Sequence, residues 1–171
     1  ASIVGTTHGS DAVRDQRLDK LADVLVRYST KVKKGDLVSI LGEPVALPLV
    51  EATFEAVLRA GGHPFWSPRS ESLQELLLAH GSDEQIRYLS PVDMHRVQTV
   101  DVQISFWADQ NTKFLGKIDP AKTAAMQAAR KPWMKLFMER AAKVGQPGGL
   151  RWCGTLYPTL ASAQDAEMSL R

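Results

Sequence analysis

The chain has 171 residues, 44% of them hydrophobic and 23% charged, and carries a formal net charge of +2 at neutral pH. That length can bury a sizeable core, and so small a net charge does not imply a surface for nucleic acid or membrane. Its one cysteine, Cys153, excludes an internal disulfide framework and fits a reducing, cytoplasmic setting.

Residues 1–14 mix Gly, Ser and Thr without periodicity and read as a flexible leader. The opening "ASIVGTTHGS" has neither a basic n-region nor an apolar h-region, so no signal peptide is expected. "DQRLDKLADVLVRYS" then puts Leu18, Leu21, Ala22, Leu25 and Tyr28 on one helical face. "LVSIL" (37–41) has the length and apolarity of a strand buried on both faces of a parallel sheet. "EPVALPLVEATFEAVLRAGGH" is a helix with Pro44 and Pro48 near its first turn and Gly61 and Gly62 at its end. "HPFWSP" (63–68) is a short strand bounded by prolines. "SLQELLLAHG" is a helix opening on a Ser72/Glu75 capping box, followed by a second box at Ser82/Gln85.

"PVDMHRVQTV" reads as a short helix and 102–107 as another strand. The longest helix runs from Asp119, its N-cap, to about Gly145. Pro132 should kink it by removing one internal hydrogen bond. Within it, Trp133, Leu136, Phe137 and Met138 are placed against the sheet, under the stems of Lys and Arg. The last strand covers 151–155. Strands alternating with helices throughout predict a single-domain α/β fold, a mostly parallel sheet with helices on both faces.

No reactive group stands out. His8, His63, His80 and His95 are far apart in sequence, and Asp93-x-His95 reads as an exposed polar pair, because i and i+2 face different sides of a helix. Cys153 sits in an apolar strand with no histidine near it in sequence, so it reads as a buried structural thiol. "GQPGG" leads from a helix into a strand, the wrong order for a phosphate cradle, and Glu43 in "ILGEP" would repel phosphate. No catalytic and no metal-ligating residue is assigned. In open α/β sheets, ligands and partners gather at the carboxyl ends of the strands. Those ends carry Gly42 and Glu43, then Asp109 to Asn111, then Tyr157 and Pro158, which makes Glu43, Asn111, Tyr157 and Pro158 the candidates for a cleft wall or an interdomain contact.

Five stretches in order carry a family resemblance: "LADVLVRYSTKVKKGDLVSI", "PLVEATFEAVLRAGGHP", "NTKFLGKIDPAKTAAMQAARKP", "LFMERAA" and "LRWCGTLYPTLASAQDAEMSL". Together they resemble the amino-terminal part of the thermophilic-type metallo-aminopeptidases, from about Asp15 to Leu170. The resemblance implies proteins more than twice this long, homo-oligomeric when full length, that remove N-terminal residues from peptides. It places two divalent metal ions, held by Glu, His and Asp, in a carboxy-terminal domain. None of those ligands maps onto a residue here. Residues 15–171 are therefore expected to be an α/β amino-terminal domain whose catalytic domain is absent, inactive alone. The alternative is a stand-alone α/β module that binds a small ligand or a partner without catalysis.

Overall fold

Four short segments rich in β-branched and aromatic residues form the strands β1 (Leu37–Gly42), β2 (His63–Pro68), β3 (Val102–Trp107) and β4 (Arg151–Leu156). They pair in the order β2-β1-β3-β4, every pair parallel. A computed structural model describes residues 15–170; the expected leader and Arg171 lie outside the described residues. The α/β prediction holds, with helices on both faces of the sheet.

One face is closed by α1 (Gln16–Asp23), its π-helical continuation Val24–Ser29, and α2 (Leu47–Arg59). Their Ala22, Val26, Leu49 and Val57 pack with Val38, Ile40, Val102, Ile104 and Phe106 of the strands. The π-helical stretch alters the expected stripe. Thr30 N–H bonds the Leu25 carbonyl, five residues back, at 3.0 Å. That wider turn rotates the following side chains, so Val26 is buried while Tyr28, placed on the apolar face by 3.6-residue spacing, is 78% exposed.

The chain returns from β2 to β3 through α3 (Glu71–His80), α4 (Asp83–Arg87) and α5 (Pro91–Thr99). The Ser82/Gln85 capping box forms, with both reciprocal bonds. The Ser72/Glu75 box does not. Ser70 caps α3 instead, its Oγ accepting from Leu73 N–H at 3.3 Å, because the chain leaving Pro68 is already helical at Glu71. Between β3 and β4 the expected single kinked helix is two helices, α6 (Pro120–Ala129) and α7 (Lys131–Ala141). Pro132 lies in the first turn of α7, where its missing N–H is not needed, so it starts a helix rather than bending one. In α7, Trp133 and Phe137 are buried and stack at 5.3 Å, and Phe137 meets Trp152 edge-on at 5.6 Å. Met138, expected against the sheet, is 56% exposed; it lies one residue past Phe137 and so turns about 100° away from it.

At the β3–β4 contact the backbone of Gly154 lies under the Trp107 ring, and any side chain at 154 would run into that ring. The chain ends its described course in α8 (Leu160–Asp165), capped by Thr159.

Candidate functional site at the carboxyl edge of the sheet

After β1 the chain turns to one side, into α2 and β2; after β3 it runs to the other side, into α6, α7 and β4. The loops that follow β1 and β3 therefore diverge at the carboxyl edge, the topological position where open α/β sheets accept ligands. Glu43 enters this edge from β1. The residue is only 8% exposed, and its carbonyl accepts the Ala46 N–H at 2.9 Å, starting the short 3₁₀ turn Pro44–Ala46.

From the next loop Glu71, at the first position of α3, reaches across to the β3 loop. Its Oε2 accepts the Asn111 N–H at 3.3 Å, and its Oε1 is buried without a partner. Burial is the main cause that raises the Glu71 carboxyl above the usual range; the amides of Asn111 and Gln110 pull it down, and the charges of Glu43 and Asp109 add to the rise. The Asn111 side chain caps its own loop, Oδ1 accepting from Lys113 N–H at 3.0 Å.

The β4 end is tied into the same edge. The Tyr157 N–H bonds the Trp107 carbonyl at 2.8 Å, extending the ladder one step past the strand. The Thr159 hydroxyl bonds the Asp109 carbonyl at 2.6 Å while its oxygen also caps α8 through Ser162 N–H at 3.1 Å. Tyr157 is half-buried and packs against the apolar cluster under α1 and α2, and Pro158 is exposed.

Glu71 bonds the Asn111 loop and feels the charge of Glu43, and the Asp109–Thr159 bond ties the segment that follows Tyr157 and Pro158 to the same loop. Sequence reasoning missed Glu71 and Thr159. Both had a signal: a Ser or Thr followed by a small or acidic first turn marks an N-cap. The edge collects three carboxylates, Glu43, Glu71 and Asp109, and what it offers chemically is negative charge and hydrogen-bond acceptors. The two-metal centre implied by the resemblance does not fit these residues. Among the described residues no group of three His, Cys, Asp or Glu side chains is arranged to hold a metal ion. Asp93 instead pairs with Arg96 at 3.0 Å. Burial raises the Cys153 thiol to about 11, which leaves it a poor nucleophile.

Residues 14–171 match the family model described as thermophilic metalloprotease (M29). Among solved structures the chain is similar to wild-type AmpT from Thermus thermophilus, with 18% identity and a TM-score of 0.69 over 84% of this chain and 36% of that one. At that identity the likeness is one of fold, and this chain spans little more than a third of the length of AmpT. A Corynebacterium glutamicum protein described as a LacI-family transcription repressor aligns over 80% of this chain and 59% of its own at 12% identity; its TM-score of 0.33 is too low for a shared fold. No curated protein matches the chain.

Proposed function

The chain belongs to the thermophilic metalloprotease (M29) family, and from that premise we propose that residues 15–171 are the amino-terminal, non-catalytic domain of a two-metal aminopeptidase. The observation that carries this reading is the mismatch of lengths. The family match runs along the whole described chain, yet the chain reaches only 36% of the length of AmpT. In this proposal the two divalent ions and the Glu, His and Asp ligands that hold them belong to the remaining part, where they activate water for peptide hydrolysis. No catalytic step is assigned to residues of this chain.

Its role is to wall the peptide cleft with the carboxyl edge of its sheet. Glu43 and Asn111 supply the polar part of that wall, and Tyr157 and Pro158 supply the passage toward the catalytic part. The whole protein, in the same proposal, acts on peptides as a homo-oligomer in the cytoplasm. A free thiol at Cys153 supports a reducing compartment, and no helix among the described residues is long and apolar enough to cross a membrane.

The test is a side-by-side measurement of the 171-residue chain and the longer protein that carries it. With zinc or cobalt supplied, the longer protein should cleave leucine p-nitroanilide and bind two ions per chain by calorimetry, while the 171 residues should do neither. Turnover by the 171 residues alone, with two tightly bound ions, would overturn the reading.

A further inference from the structure

The sheet has two outer strands, β2 and β4, and their outer edges are built in opposite ways. In a parallel strand the backbone N–H and C=O groups of successive residues point to alternate sides. In β2 the His63 N–H bonds the Asp36 carbonyl at 2.8 Å and the Arg69 N–H bonds the Gly42 carbonyl at 3.0 Å, so the odd-numbered residues face β1. The outward positions are then Pro64, Trp66 and Pro68, and the two prolines have no N–H to offer. Proline at such positions stops another strand from adding to the edge.

β4 carries no such block. The Arg151 N–H bonds the Asp101 carbonyl at 3.0 Å and the Tyr157 N–H bonds the Trp107 carbonyl at 2.8 Å, so Trp152, Gly154 and Leu156 point their backbone groups outward. Of those groups only the Leu156 carbonyl has a partner among the described residues, the Thr155 hydroxyl at 3.5 Å. The strand has neither proline nor bulge, since its register with β3 runs unbroken from Arg151 to Leu156. Its single charge, Arg151, is tied inward to Asp36. The outward residues also present apolar surface. Trp152 is 48% exposed and Leu156 69%, and the Trp107 ring, 40% exposed, fills the space that a side chain at Gly154 would take. An open edge flanked by large apolar side chains is a surface for a further strand.

We propose that β4 pairs antiparallel with β4 of a second copy of this chain, joining the two sheets across a twofold axis at Gly154. The order of residues selects this occupant. Pairing about Gly154 sets Trp152 against Leu156 of the second copy and Leu156 against its Trp152, at positions that exchange N–H and C=O across the pair. On the opposite face Cys153 meets Thr155 and Arg151 meets Tyr157, so no like charges are opposed. A slip of two residues would set Trp152 against Gly154 and lose the apolar pair. A net charge of +2 per copy adds little repulsion, and a twofold contact closes on itself without further growth. One strand pair is a small contact, so its Kd is expected on the order of 10–100 μM. The proposal does not rest on the aminopeptidase reading, and its test does not read activity.

The test is sedimentation velocity of the 171-residue chain from about 1 μM to about 1 mM, a range that brackets such a Kd. The mass should rise from one chain toward two. Leu156→Pro gives β4 the device that β2 already has, at an exposed position whose N–H is not used by β3. It should weaken association at least about tenfold. Trp152→Lys with Leu156→Lys opposes like charges and should abolish association. Trp152→Glu with Leu156→Lys opposes unlike charges in the same register and should associate at least about tenfold more tightly than that first pair. A chain that stays single throughout, a folded Leu156→Pro chain that associates as well as the parent, or equal association of the two charge pairs would each overturn the proposal. So would hydrogen exchange that finds the Trp152, Gly154 and Leu156 amides protected in a longer protein that is itself monomeric, because a strand of its own would then hold the edge. Should the Trp152 variants fail to fold, since that ring meets Phe137, Leu156→Pro and the exchange measurement still decide it.

Discussion

The two faces of the sheet are drawn from the same strands and differ in what they bury. Toward α1 and α2 point Val38, Ile40, Val102, Ile104 and Phe106, all fully buried and all apolar. Toward α5 and α7, from alternate positions of the same strands, point Ser39, Gln103 and Ser105, which are buried too, Ser39 completely. Gln103 Nε2 reaches Ser105 Oγ at only 3.4 Å, and Ser39 Oγ has no partner. Apolar burial near 25 cal/mol per Å² makes the first face the main source of stability, whereas an unpartnered buried hydroxyl opposes folding. Phe65 and Ser67 lie on the same side of β2 as Ser39 does on β1, and Arg96 of α5 packs beside them. Both faces bury apolar side chains, with Val97, Val100, Trp133, Phe137 and Leu150 on the second, but the strands themselves bury polar side chains only toward the second.

The largest effect should come from emptying the first face. Phe106 is fully buried near the carboxyl end of β3, and its ring closes the space above Gly42. Phe106→Ala should destabilise by about 3–5 kcal/mol, through lost burial and the cavity left behind. Urea unfolding should show a lower midpoint with an unchanged slope. A loss under about 1 kcal/mol would mean that this face is not the anchor of the fold.

Next in size is a polar group on the apolar side that, unlike Ser39, is fully partnered. Arg151 pairs with Asp36 at 2.7 Å, with side chains 19% and 12% exposed, and also donates to the carbonyls of Lys31 at 2.7 Å and Thr30 at 3.4 Å. It thereby fixes the end of the π-helical stretch to β4. Arg151→Met leaves the Asp36 charge buried with its guanidinium partner gone and should cost about 3 kcal/mol. The double variant Arg151→Met with Asp36→Asn should recover part of that loss, since the uncompensated charge is then removed.

Much of this contrast was legible in the sequence. The alternation of short apolar runs with amphipathic stretches specified four strands and the helices between them, because burial on both faces of a parallel sheet leaves that imprint. Their parallel arrangement followed from the alternation of strands with helices along the chain. The rest depended on placement. Lys122 or Arg130 looks no different in sequence from Arg96, yet of these three described residues it is Arg96 that carries a buried donor without an acceptor. Ser39 disappeared inside "LVSIL", where one hydroxyl does not break an apolar run. Tyr28 and Pro132 misled for a local reason: a π-helical turn and a helix start each keep the residue pattern of a regular helix while changing its geometry. Topology alone puts Glu43 and Asn111 at the ends of their strands, but the bond from Asn111 to the Glu71 side chain spans 40 residues of sequence and could not be read from it.

Ser39→Ala should act in the opposite direction to Phe106→Ala. It removes a hydroxyl that is fully buried and has no hydrogen bond, and it leaves a hole of one oxygen atom. The result should lie within about 1 kcal/mol of the parent, on the stabilising side. Val38→Ala, one residue away on the other face, should cost about 2 kcal/mol or more. If the two variants lose stability equally in urea, the contrast between the faces fails. Thr53 of α2 offers a control on the first side, since its hydroxyl is likewise buried and unpartnered.

The smallest effect belongs to the carboxyl edge, and its signature is a dependence on pH. Glu71 has a carboxyl raised above the ordinary value of 4.5, chiefly by burial and further by Glu43 and Asp109. A raised carboxyl favours folding in its neutral form. That contribution is fully present below the unfolded value and is lost as pH rises through the folded one. The folded protein therefore carries at neutral pH a destabilisation that it does not carry in mild acid. Glu71→Gln keeps an oxygen able to accept the Asn111 N–H but cannot ionise, so it removes that pH dependence. Its melting temperature, set against that of the parent, should be nearly equal near pH 4 and should pull ahead as the pH is raised to 7. A difference that stays constant across that range would show that Glu71 acts only through its hydrogen bond to the β3 loop. A parent that gains on the variant with rising pH would reverse the sign and place a cation opposite Glu71, making the edge a neutralised contact rather than a reserve of unpaired negative charge.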